Sequence, residues 1–551
     1  MTRISEIRSF LMPGEIMVNK RLQVWLPLLF SLVMVFGMVI GYKIRQDSSM
    51  PGFFKTSNKS VFQEVLDLVD LKYVDKVETD TLGNKAISGI LHKLDPHSVF
   101  IPSSELMQVN DDLRGNFTGI GVEFQVFYDT VNILNVLPGG PSEKAGMLVG
   151  DKVITINDTV KLAGQKINPE NIRKYLRGKK GTPVKVTVFR NGKMVPLIIE
   201  RGTIPVLSVD ASYMIDGQTG FIHLNRFSEN TYREFMQAME KLQAQKMQHL
   251  ILDLRGNGGG LLNQAVNIAD EFLDEDKLIV YTQGSHVPKY EYRARKEGLF
   301  EKGDLAVLVD ESSASASEVL SGALQDWDRA TIIGRRSFGK GLVQEQFGLS
   351  DGSALRLTVA RYYTPLGRNI QKSYTNGYTE YEEEVMVRFH NGEVMKPDTT
   401  KNKGAAFKTK KGKIVYGGGG ITPDVFVPFD TTTMGKTLLS LYAKGTLNKF
   451  IYTYYIQHKT ELGAFKKPAE FSIGFQSGDR EWEELKRFAS KDSINLDKLS
   501  THDKDYLLKR IPSMLARQIW RYDGYYQVMN KTDDFIQKAL QVLNVRPSVN
   551  R

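Results

Sequence analysis

Residues 305–344, LAVLVDESSASASEVLSGALQDWDRATIIGRRSFGKGLVQ, indicate the fold of the central part of the chain. The stretch begins with five apolar residues, Leu305 to Val309, a pattern typical of a buried strand. A turn of small and hydroxylated residues follows, and then an amphipathic segment from Val319 to Asp326. A strand that leads through small residues into a helix is a common place for a nucleophile, because the first N–H groups of the helix stay free to bind an anion.

The turn offers several hydroxyl groups, at Ser312, Ser313, Ser315 and Ser317, and a serine nucleophile needs a base. The chain has 8 histidines, but none lies between residues 286 and 390, so this stretch supplies no imidazole. It does supply Lys340 between two glycines, and a lysine can act as a base when burial lowers its pKa. The residues alone leave both a Ser–Lys pair and a plain tight turn open.

Two blocks, Ser-Ala-Ser-Glu (315–318) and Phe-Gly-Lys-Gly-Leu-Val-Gln (338–344), resemble the active-site blocks of the C-terminal processing, or tail-specific, proteases. These are Ser–Lys peptidases that carry a PDZ domain. The resemblance implies Ser315 as the nucleophile, Lys340 as the base 25 positions later, and Gln344 as the residue that orients Lys340. It also implies that neither a metal nor an organic cofactor is needed.

A glycine-rich loop, Arg255-Gly-Asn-Gly-Gly-Gly260, follows another apolar strand. Such a loop could cradle a phosphate, but it lacks the Gly-Lys-Ser/Thr of a P-loop. A loop whose N–H groups face an oxyanion fits better, because glycine leaves the backbone accessible. The family resemblance implies that Gly260, or its neighbour Gly259, and Ala316 donate the two N–H groups. It gives Asp253 and Arg255 a structural role, and it assigns His97 to a local turn outside the catalytic set.

Residues 115–203 resemble a PDZ domain. Two glycines of Phe117-Thr-Gly-Ile-Gly-Val-Glu-Phe124 lie beside the start of a strand, and Asn191-Gly192 predicts a hairpin. The resemblance implies that a peptide adds as a strand along residues 121–124 and places its C-terminal carboxylate on backbone amides. Those amides belong to Gly119, Ile120, Gly121 and Val122. A PDZ-like unit that only packs against its neighbours is the alternative.

Composition excludes several classes of protein. The chain of 551 residues is 41% hydrophobic and 25% charged, which is typical of a folded multidomain protein. It contains no cysteine, so disulfides and thiol chemistry are excluded. The net charge of +10 is spread along the chain without an aromatic-interleaved basic stripe, which argues against a nucleic-acid partner.

The N-terminal segment predicts a membrane anchor. Residues 22–42 carry no charge and are rich in Leu, Val, Met and Phe, which suits a bilayer-spanning helix. Residues 1–21 are polar and basic, so the positive-inside rule places them in the cytoplasm. A cleaved signal peptide is the rival interpretation, but its apolar region would be shorter and no Ala-x-Ala site follows. We therefore expect a single-pass protein of the inner (cytoplasmic) membrane with its catalytic part on the periplasmic, extracytoplasmic side.

The predicted fold is multidomain α/β. After the anchor, the chain is divided into a tether with a small N-terminal helical region (43–114), the PDZ domain (115–203), an α/β protease core of the ClpP/crotonase type (204–430) and a mostly helical C-terminal domain (431–551). Within the core, residues 372–417 are polar and charged. They predict an exposed insertion with a hairpin around Asn391-Gly392.

The family resemblance, together with the apolar segment, implies a membrane-anchored serine endopeptidase that recognises accessible C-termini of proteins or peptides through its PDZ domain. The alternative is a catalytically silent or partner-gated PDZ adaptor on a protease scaffold. Further partners could be an adaptor or regulator protein and a second copy of the chain in a homodimer.

Overall fold

A computed structural model describes residues 20–46, 60–162, 164, 168–396, 404–430 and 435–543. The chain divides into two compact units, residues 1–83 and 84–551. The predicted cytoplasmic segment up to residue 19 and the predicted tether over residues 47–59 lie outside the described residues.

Among the described residues of the first unit, two helices are complete, α1 (Lys20–Gln46) and α2 (Val61–Lys72). Helix α1 includes the apolar segment predicted to be the anchor. Among the residues whose side chains are described, no helix combines the length and the apolar character needed to cross a membrane. Helix α2 begins at Val61 because the Oγ of Ser60 accepts the N–H of Gln63 at 3.3 Å.

The region before the PDZ domain is mainly helical, as predicted. Its elements are α3 (Thr79–Leu91), β1 (Val99–Ile101) and α4 (Ser103–Arg114). Helix α4 ends at Gly115, which has a φ of 70° and donates its N–H to the carbonyl of Asp111 at 3.0 Å. Only glycine adopts this left-handed position easily, so the sequence itself stops the helix there.

Residues 116–205 have the architecture of a PDZ domain. Its elements are β2 (Asn116–Gly119), β3 (Val122–Phe127), β4 (Thr130–Val136), α5 (Pro141–Lys144), β5 (Lys152–Ile156), β6 (Val160–Lys161), α6 (Pro169–Leu176), β7 (Pro183–Arg190), β8 (Lys193–Glu200) and β9 (Gly202–Pro205). The main sheet has the order β3-β4-β5-β7-β8, so β3 is an edge strand. The predicted hairpin at Asn191-Gly192 is confirmed: both residues have a positive φ, and Arg190 pairs with Lys193.

The core follows as a mixed α/β unit. Its elements are β10 (Val209–Met214), β11 (Thr219–Leu224), α7 (Thr231–Gln243), β12 (His249–Asp253), α8 (Leu262–Asp270), β13 (Leu278–Gln283), β14 (Tyr290–Arg293), β15 (Asp304–Val309), α9 (Ala316–Asp326), β16 (Thr331–Gly334), β17 (Leu342–Gly348), β18 (Ala354–Tyr363), α10 (Tyr378–His390), β19 (Ala406–Lys408), β20 (Ile414–Tyr416) and β21 (Val425–Phe426). One sheet has the order β10-β11-β12-β15-β16-β21 and is parallel except between β10 and β11. A second sheet joins β1, β18, β13, β14 and β17. The carboxyl ends of β12 and β15 are therefore adjacent, and they carry the glycine-rich loop and the serine turn.

Two expectations for residues 372–417 are wrong. Helix α10 fills the first part of this segment, and Asn391-Gly392 ends that helix instead of turning a hairpin. The N–H of Asn391 bonds to the carbonyl of Val387 at 2.9 Å and Gly392 has a φ of 80°, so the pair acts as a helix C-terminal cap. The segment is also not simply exposed, since Tyr381 and Arg388 are buried. The hairpin of this segment is formed by β19 and β20.

The C-terminal region is mostly helical, as predicted. Its elements are α11 (Lys436–Ala443), α12 (Thr446–Gln457), α13 (Lys459–Leu462), α14 (Pro468–Gly474), α15 (Asp479–Lys491), a 3-10 turn (Leu496–Lys498), α16 (Thr501–Met529) and α17 (Asp534–Val542). Helices α11 to α16 enclose an apolar core of their own, whereas Phe535 and Ile536 of α17 pack on one face of the parallel sheet. Helices α7, α8 and α9 contribute to the apolar core on the other face.

Candidate active site

Ser315 lies at the start of α9 in a strained backbone position. Its φ of 56° and ψ of −113° are unusual for a residue other than glycine. The conformation is held from both sides: the N–H of Ser315 bonds to Glu318 at 2.8 Å, and its carbonyl accepts the hydroxyl of Tyr362 at 3.1 Å. A strand-to-helix turn of this kind exposes the serine side chain at the edge of the sheet.

The structure separates the four serines of the turn. The hydroxyls of Ser313 and Ser317 are buried and donate to the carbonyls of Leu254 and Asn257, at 2.8 and 2.9 Å. Ser312 is exposed. Ser315 is half-buried and forms a capping box with Glu318, and its hydroxyl donates no hydrogen bond to any other described residue. Ser315 is therefore the serine of this turn whose hydroxyl is both sheltered and available.

The glycine-rich loop packs directly against the serine turn. A Cβ added to Gly259 would lie 2.8 Å from the Cβ of Ser315 and 3.0 Å from the backbone nitrogen of Ala316. The N–H of Gly259 is already used, because it donates to the Oδ1 of Asn257 at 2.9 Å. Over the described parts of the chain, the N–H groups of Gly260 and Ala316 have no acceptor. These are the two amides that the resemblance implied for the oxyanion.

Glu318 connects the serine turn to the loop that carries Lys340. Its carboxylate accepts the N–H groups of Ser315 and Lys340 at 2.8 Å each. It also accepts the N–H of Gly339 at 2.7 Å and the hydroxyl of Ser337. Burial raises the pKa of this fully buried carboxyl. Sequence reasoning missed this role, although the Ser-x-x-Glu spacing of a capping box was a signal for it.

The side chain of Lys340 is in an environment suited to a base. Burial lowers its pKa, and the nearby charge of Arg356 lowers it further, against the opposing effect of Glu318 and Asp95. Tyr362 donates its hydroxyl to the carbonyl of Lys340 and so holds this residue's backbone beside that of Ser315. Within the described residues, the ammonium of Lys340 makes no hydrogen bond to the hydroxyl of Ser315.

Gln344 lies on β17, but its side chain makes no hydrogen bond to the described side chain of Lys340. Its Nε2 is 3.4 Å from the Oγ1 of Thr358 on β18, and Thr358 in turn donates to Asp95 at 3.0 Å. The structure thus brings the serine turn, the glycine-rich loop and the backbone of Lys340 together. It does not join the side chains of Lys340 and Gln344 by a hydrogen bond.

The Asp95-Pro-His-Ser98 block lies beside Lys340. The carboxylate of Asp95 fixes the turn by accepting the N–H groups of His97 and Ser98 at 2.8 Å each. The ring of His97 reaches beyond the turn and hydrogen-bonds to Tyr381 of α10 at 2.7 Å. Burial, with a further contribution from the charge of Lys340, lowers the pKa of His97 to about 4. The predicted local turn around His97 is confirmed, and its ring makes a contact with α10 that the sequence did not predict.

Helix α10 braces the Lys340 loop through a buried arginine. The guanidinium of Arg388 donates to the carbonyls of Arg336, Ser337 and Phe338, at 3.0, 2.8 and 3.1 Å. Glu384, one turn earlier, pairs with Arg388 at 2.8 Å. The polar segment that looked like an exposed insertion thus fixes three consecutive carbonyls just before Gly339.

Asp253 and Arg255 have the predicted structural role. Asp253 is buried and pairs with Arg255 at 2.6 Å, and Arg255 also pairs with Asp533 of the C-terminal region at 2.9 Å. This network ties the glycine-rich loop to the cap of α17. Across the described ranges, no group of His, Asp and Glu side chains is arranged to hold a metal ion.

The predicted peptide site lies at the edge of the PDZ sheet. Gly121 has a φ of 76°, and its carbonyl accepts the N–H of Leu137 at 2.9 Å, which opens the loop between β2 and β3. The N–H groups of Ile120 and Gly121 have no acceptor among the residues that the structure describes. Gly119 ends β2, and Val122 begins β3. These four residues therefore form a short loop with free donors beside an open strand.

Comparison with known proteins places two parts of the chain in known families. The model of peptidase family S41 matches residues 218–380, and a PDZ domain model matches residues 118–200. Residues 437–521 match a family of unknown function. Among solved structures, the photosystem II D1 C-terminal processing protease is 28% identical, with a TM-score of 0.35, over 67% of this chain and 92% of that one.

Curated proteases align with more than half of the chain. A probable CtpA-like serine protease of Staphylococcus epidermidis is 35% identical over 57% of this chain and 63% of its own length. The carboxy-terminal-processing protease of Bartonella bacilliformis is 36% identical over 56% of this chain and 72% of its own length. This likeness shows that the chain belongs to the carboxy-terminal-processing proteases of peptidase family S41 and is a serine-type peptidase.

Proposed function

We propose that the protein is a membrane-anchored endopeptidase that recognises protein C-termini and cleaves by a Ser–Lys mechanism. One observation carries this proposal. The half-buried hydroxyl of Ser315 is next to the unbonded N–H of Ala316, and its turn packs against the loop that carries the unbonded N–H of Gly260. The same buried carboxylate, Glu318, binds the backbones of both Ser315 and Lys340. Nucleophile, oxyanion donors and base loop thus share one rigid frame.

The proposed reaction follows from the roles of these groups. The Oγ of Ser315 attacks the scissile carbonyl carbon, and the neutral amine of Lys340 takes the hydroxyl proton. The N–H groups of Gly260 and Ala316 donate to the oxyanion that forms. When the tetrahedral intermediate collapses, Lys340 returns the proton to the leaving amine. Water, activated by Lys340, then hydrolyses the acyl-enzyme.

Substrate engagement is proposed to complete the site. The amine of Lys340 must approach the Oγ of Ser315, and Gln344 must turn from Thr358 towards Lys340. Hydrogen bonds of this kind commonly tighten only when substrate is bound. The 3.4 Å contact between Gln344 and Thr358 is the observation that favours the second candidate, a protease that is gated by its PDZ domain or by a partner.

The pH dependence of hydrolysis tests the proposed base. We expect kcat/KM for an unstructured protein substrate to rise with pH, because only the deprotonated form of Lys340 accepts a proton. The midpoint should lie below 10.5, the usual pKa of lysine, since burial lowers the pKa of Lys340. His97, with a pKa of about 4, will not titrate in that range. A flat profile, or a midpoint above 10.5, would exclude Lys340 as the base.

Recognition of C-termini is proposed to use the loop of Gly119, Ile120, Gly121 and Val122. The free N–H groups of Ile120 and Gly121 support a carboxylate there, and the open edge of β3 supports an added strand. The substrates are therefore proteins or peptides with accessible C-termini. An adaptor or regulator protein and homodimer formation are further proposals that rest on the family resemblance.

The anchor is proposed from the sequence of residues 22–42. This segment carries no charge over 21 residues and follows a basic segment, which supports a single span with the protease on the periplasmic side. We expect the full chain to sediment with membranes and to resist extraction at alkaline pH, whereas a chain that lacks residues 1–42 should not sediment. Release of the full chain by alkaline extraction would overturn the anchor.

A further inference from the structure

The open edge strand of the PDZ unit faces the C-terminal helical region. The Nη2 of Arg521 on α16 pairs with Glu123 of β3 at 2.8 Å, and Gln518 donates to the carbonyl of Leu134 on β4. Most of α16 falls within residues 437–521, which match a family of unknown function. This region therefore meets the PDZ domain at the strand where a peptide is proposed to bind.

Helix α16 breaks at this meeting point. Trp520 and Arg521 have non-helical backbone angles, and Arg521 has a φ of 59°, which is unfavourable for an arginine. The residue with this strained backbone, Arg521, is also the one that pairs with Glu123. The break turns Tyr522 and Tyr525 towards a cavity beside β3.

Two adjoining cavities line this side of β3, with volumes of about 720 and 870 Å³. They share Val122, Glu123, Tyr522 and Tyr526. The larger cavity extends past Gly121 to Gly256, in the loop that leads to the oxyanion donors. A peptide on β3 would thus lie between the PDZ strand and α16, with space that continues towards the active site.

The smaller cavity, which we term the arginine groove, is electropositive. Arg173, Arg510 and Arg517 line it, and Glu123 is the one carboxylate among its lining residues. The Nε of Arg510 is buried, and no described residue accepts a hydrogen bond from it. The ion pairs found among the described residues give Arg510 no carboxylate, and Arg517 has only Glu123, at 3.8 Å. Arg510 is half-buried, and its guanidinium contacts Met529 and Tyr525 but no carboxylate. A guanidinium without an anion can bind a carboxylate through two parallel hydrogen bonds.

We propose that the C-terminal region completes the peptide site and selects acidic peptides. The peptide adds as a strand to β3 with its C-terminus at residues 119–122. Carboxylate side chains a few residues upstream then bind Arg510 and Arg517. This inference rests on the proposed recognition of C-termini by the PDZ domain, and it gives the matched family of unknown function a role in substrate selection.

Peptide binding to the full chain tests the proposal. The chain would carry Ser315→Ala to prevent hydrolysis, and fluorescence anisotropy would report binding of two labelled decapeptides. Both end in the same apolar residue, and they differ only in three glutamates or three glutamines at the second to fourth positions before it. We expect the glutamate peptide to bind about 10-fold more tightly, and the difference to shrink as salt is added.

Substitutions test whether the arginine groove causes the preference for the glutamate peptide. Arg510→Gln and Arg517→Gln should each reduce the preference to about 2-fold or less and leave the affinity for the glutamine peptide unchanged. Arg487→Gln, an exposed arginine of the same helical region, is the matched control and should keep the full preference. Glu123→Gln, which removes the competing carboxylate, should strengthen binding of the glutamate peptide.

The outcomes separate this inference from the proposed function. Equal binding of the two peptides, or a preference that survives both arginine substitutions, would overturn the role of the arginine groove while recognition of C-termini stands. Binding of neither peptide would contradict recognition of C-termini by the PDZ domain and this inference with it.

Discussion

Ser315→Ala is expected to lower kcat/KM for proteolysis by about 10⁴-fold or more, because the chain would lose the atom that attacks the substrate. The oxyanion donors and the peptide site would remain, so binding of a peptide with a free C-terminus should be unchanged. Lys340→Ala should cause a loss of similar size, and the double variant should be little worse than either single one, since the two groups act in one step. Hydrolysis of an unstructured protein measures the losses of kcat/KM. Fluorescence anisotropy measures the binding of the peptide with a free C-terminus.

The neighbouring serines provide matched controls. Ser312→Ala changes an exposed side chain and should retain activity within about 2-fold. Ser317→Ala removes a buried hydrogen bond to the carbonyl of Asn257 and should reduce the free energy of unfolding by about 1 kcal/mol, with activity largely kept. Retained turnover in Ser315→Ala, or its loss in Ser312→Ala, would move the nucleophile to another residue.

Local signals in the sequence account for much of the fold. Helix α6 begins at Pro169 because Asn168 caps it, and the β7–β8 hairpin turns at Asn191-Gly192 because both residues accept a positive φ. The strand and helix around Ser315 were predictable in the same way. The Asn391-Gly392 pair shows where such signals are ambiguous, since a glycine with positive φ ends a helix as readily as it turns a hairpin.

Contacts between distant segments could not be predicted from these patterns. Arg388 reads as one charge on a polar helix, yet it is buried against three carbonyls of the Lys340 loop. The contact between Arg521 and Glu123 joins residues that lie almost 400 positions apart. Such pairs form only after the sheets and helices are assembled, so neither periodicity nor turn chemistry encodes them.

Glu318→Gln should lower both stability and activity, although Glu318 performs no chemical step. The carboxylate faces four donors: the N–H groups of Ser315, Gly339 and Lys340 and the hydroxyl of Ser337. A glutamine would turn its NH₂ group towards some of them and leave buried donors unsatisfied. We expect the free energy of unfolding to fall by about 2–4 kcal/mol and kcat by about 100-fold, because the Lys340 loop loses its register with Ser315.

The kinetic constants distinguish a positioning role of Glu318 from a role in folding alone, because only a positioning role lowers kcat in the folded protein. If Glu318 positions the base loop, the folded fraction of Glu318→Gln, measured by its cooperative melt, should bind substrate with nearly the wild-type KM while kcat falls. Glu345→Gln removes an exposed carboxylate on the adjoining strand β17 and should change neither constant. Wild-type kcat in a folded Glu318→Gln chain would mean that Tyr362 and Arg388 suffice to hold the two loops together, and that the shared carboxylate is not what keeps the base beside the nucleophile.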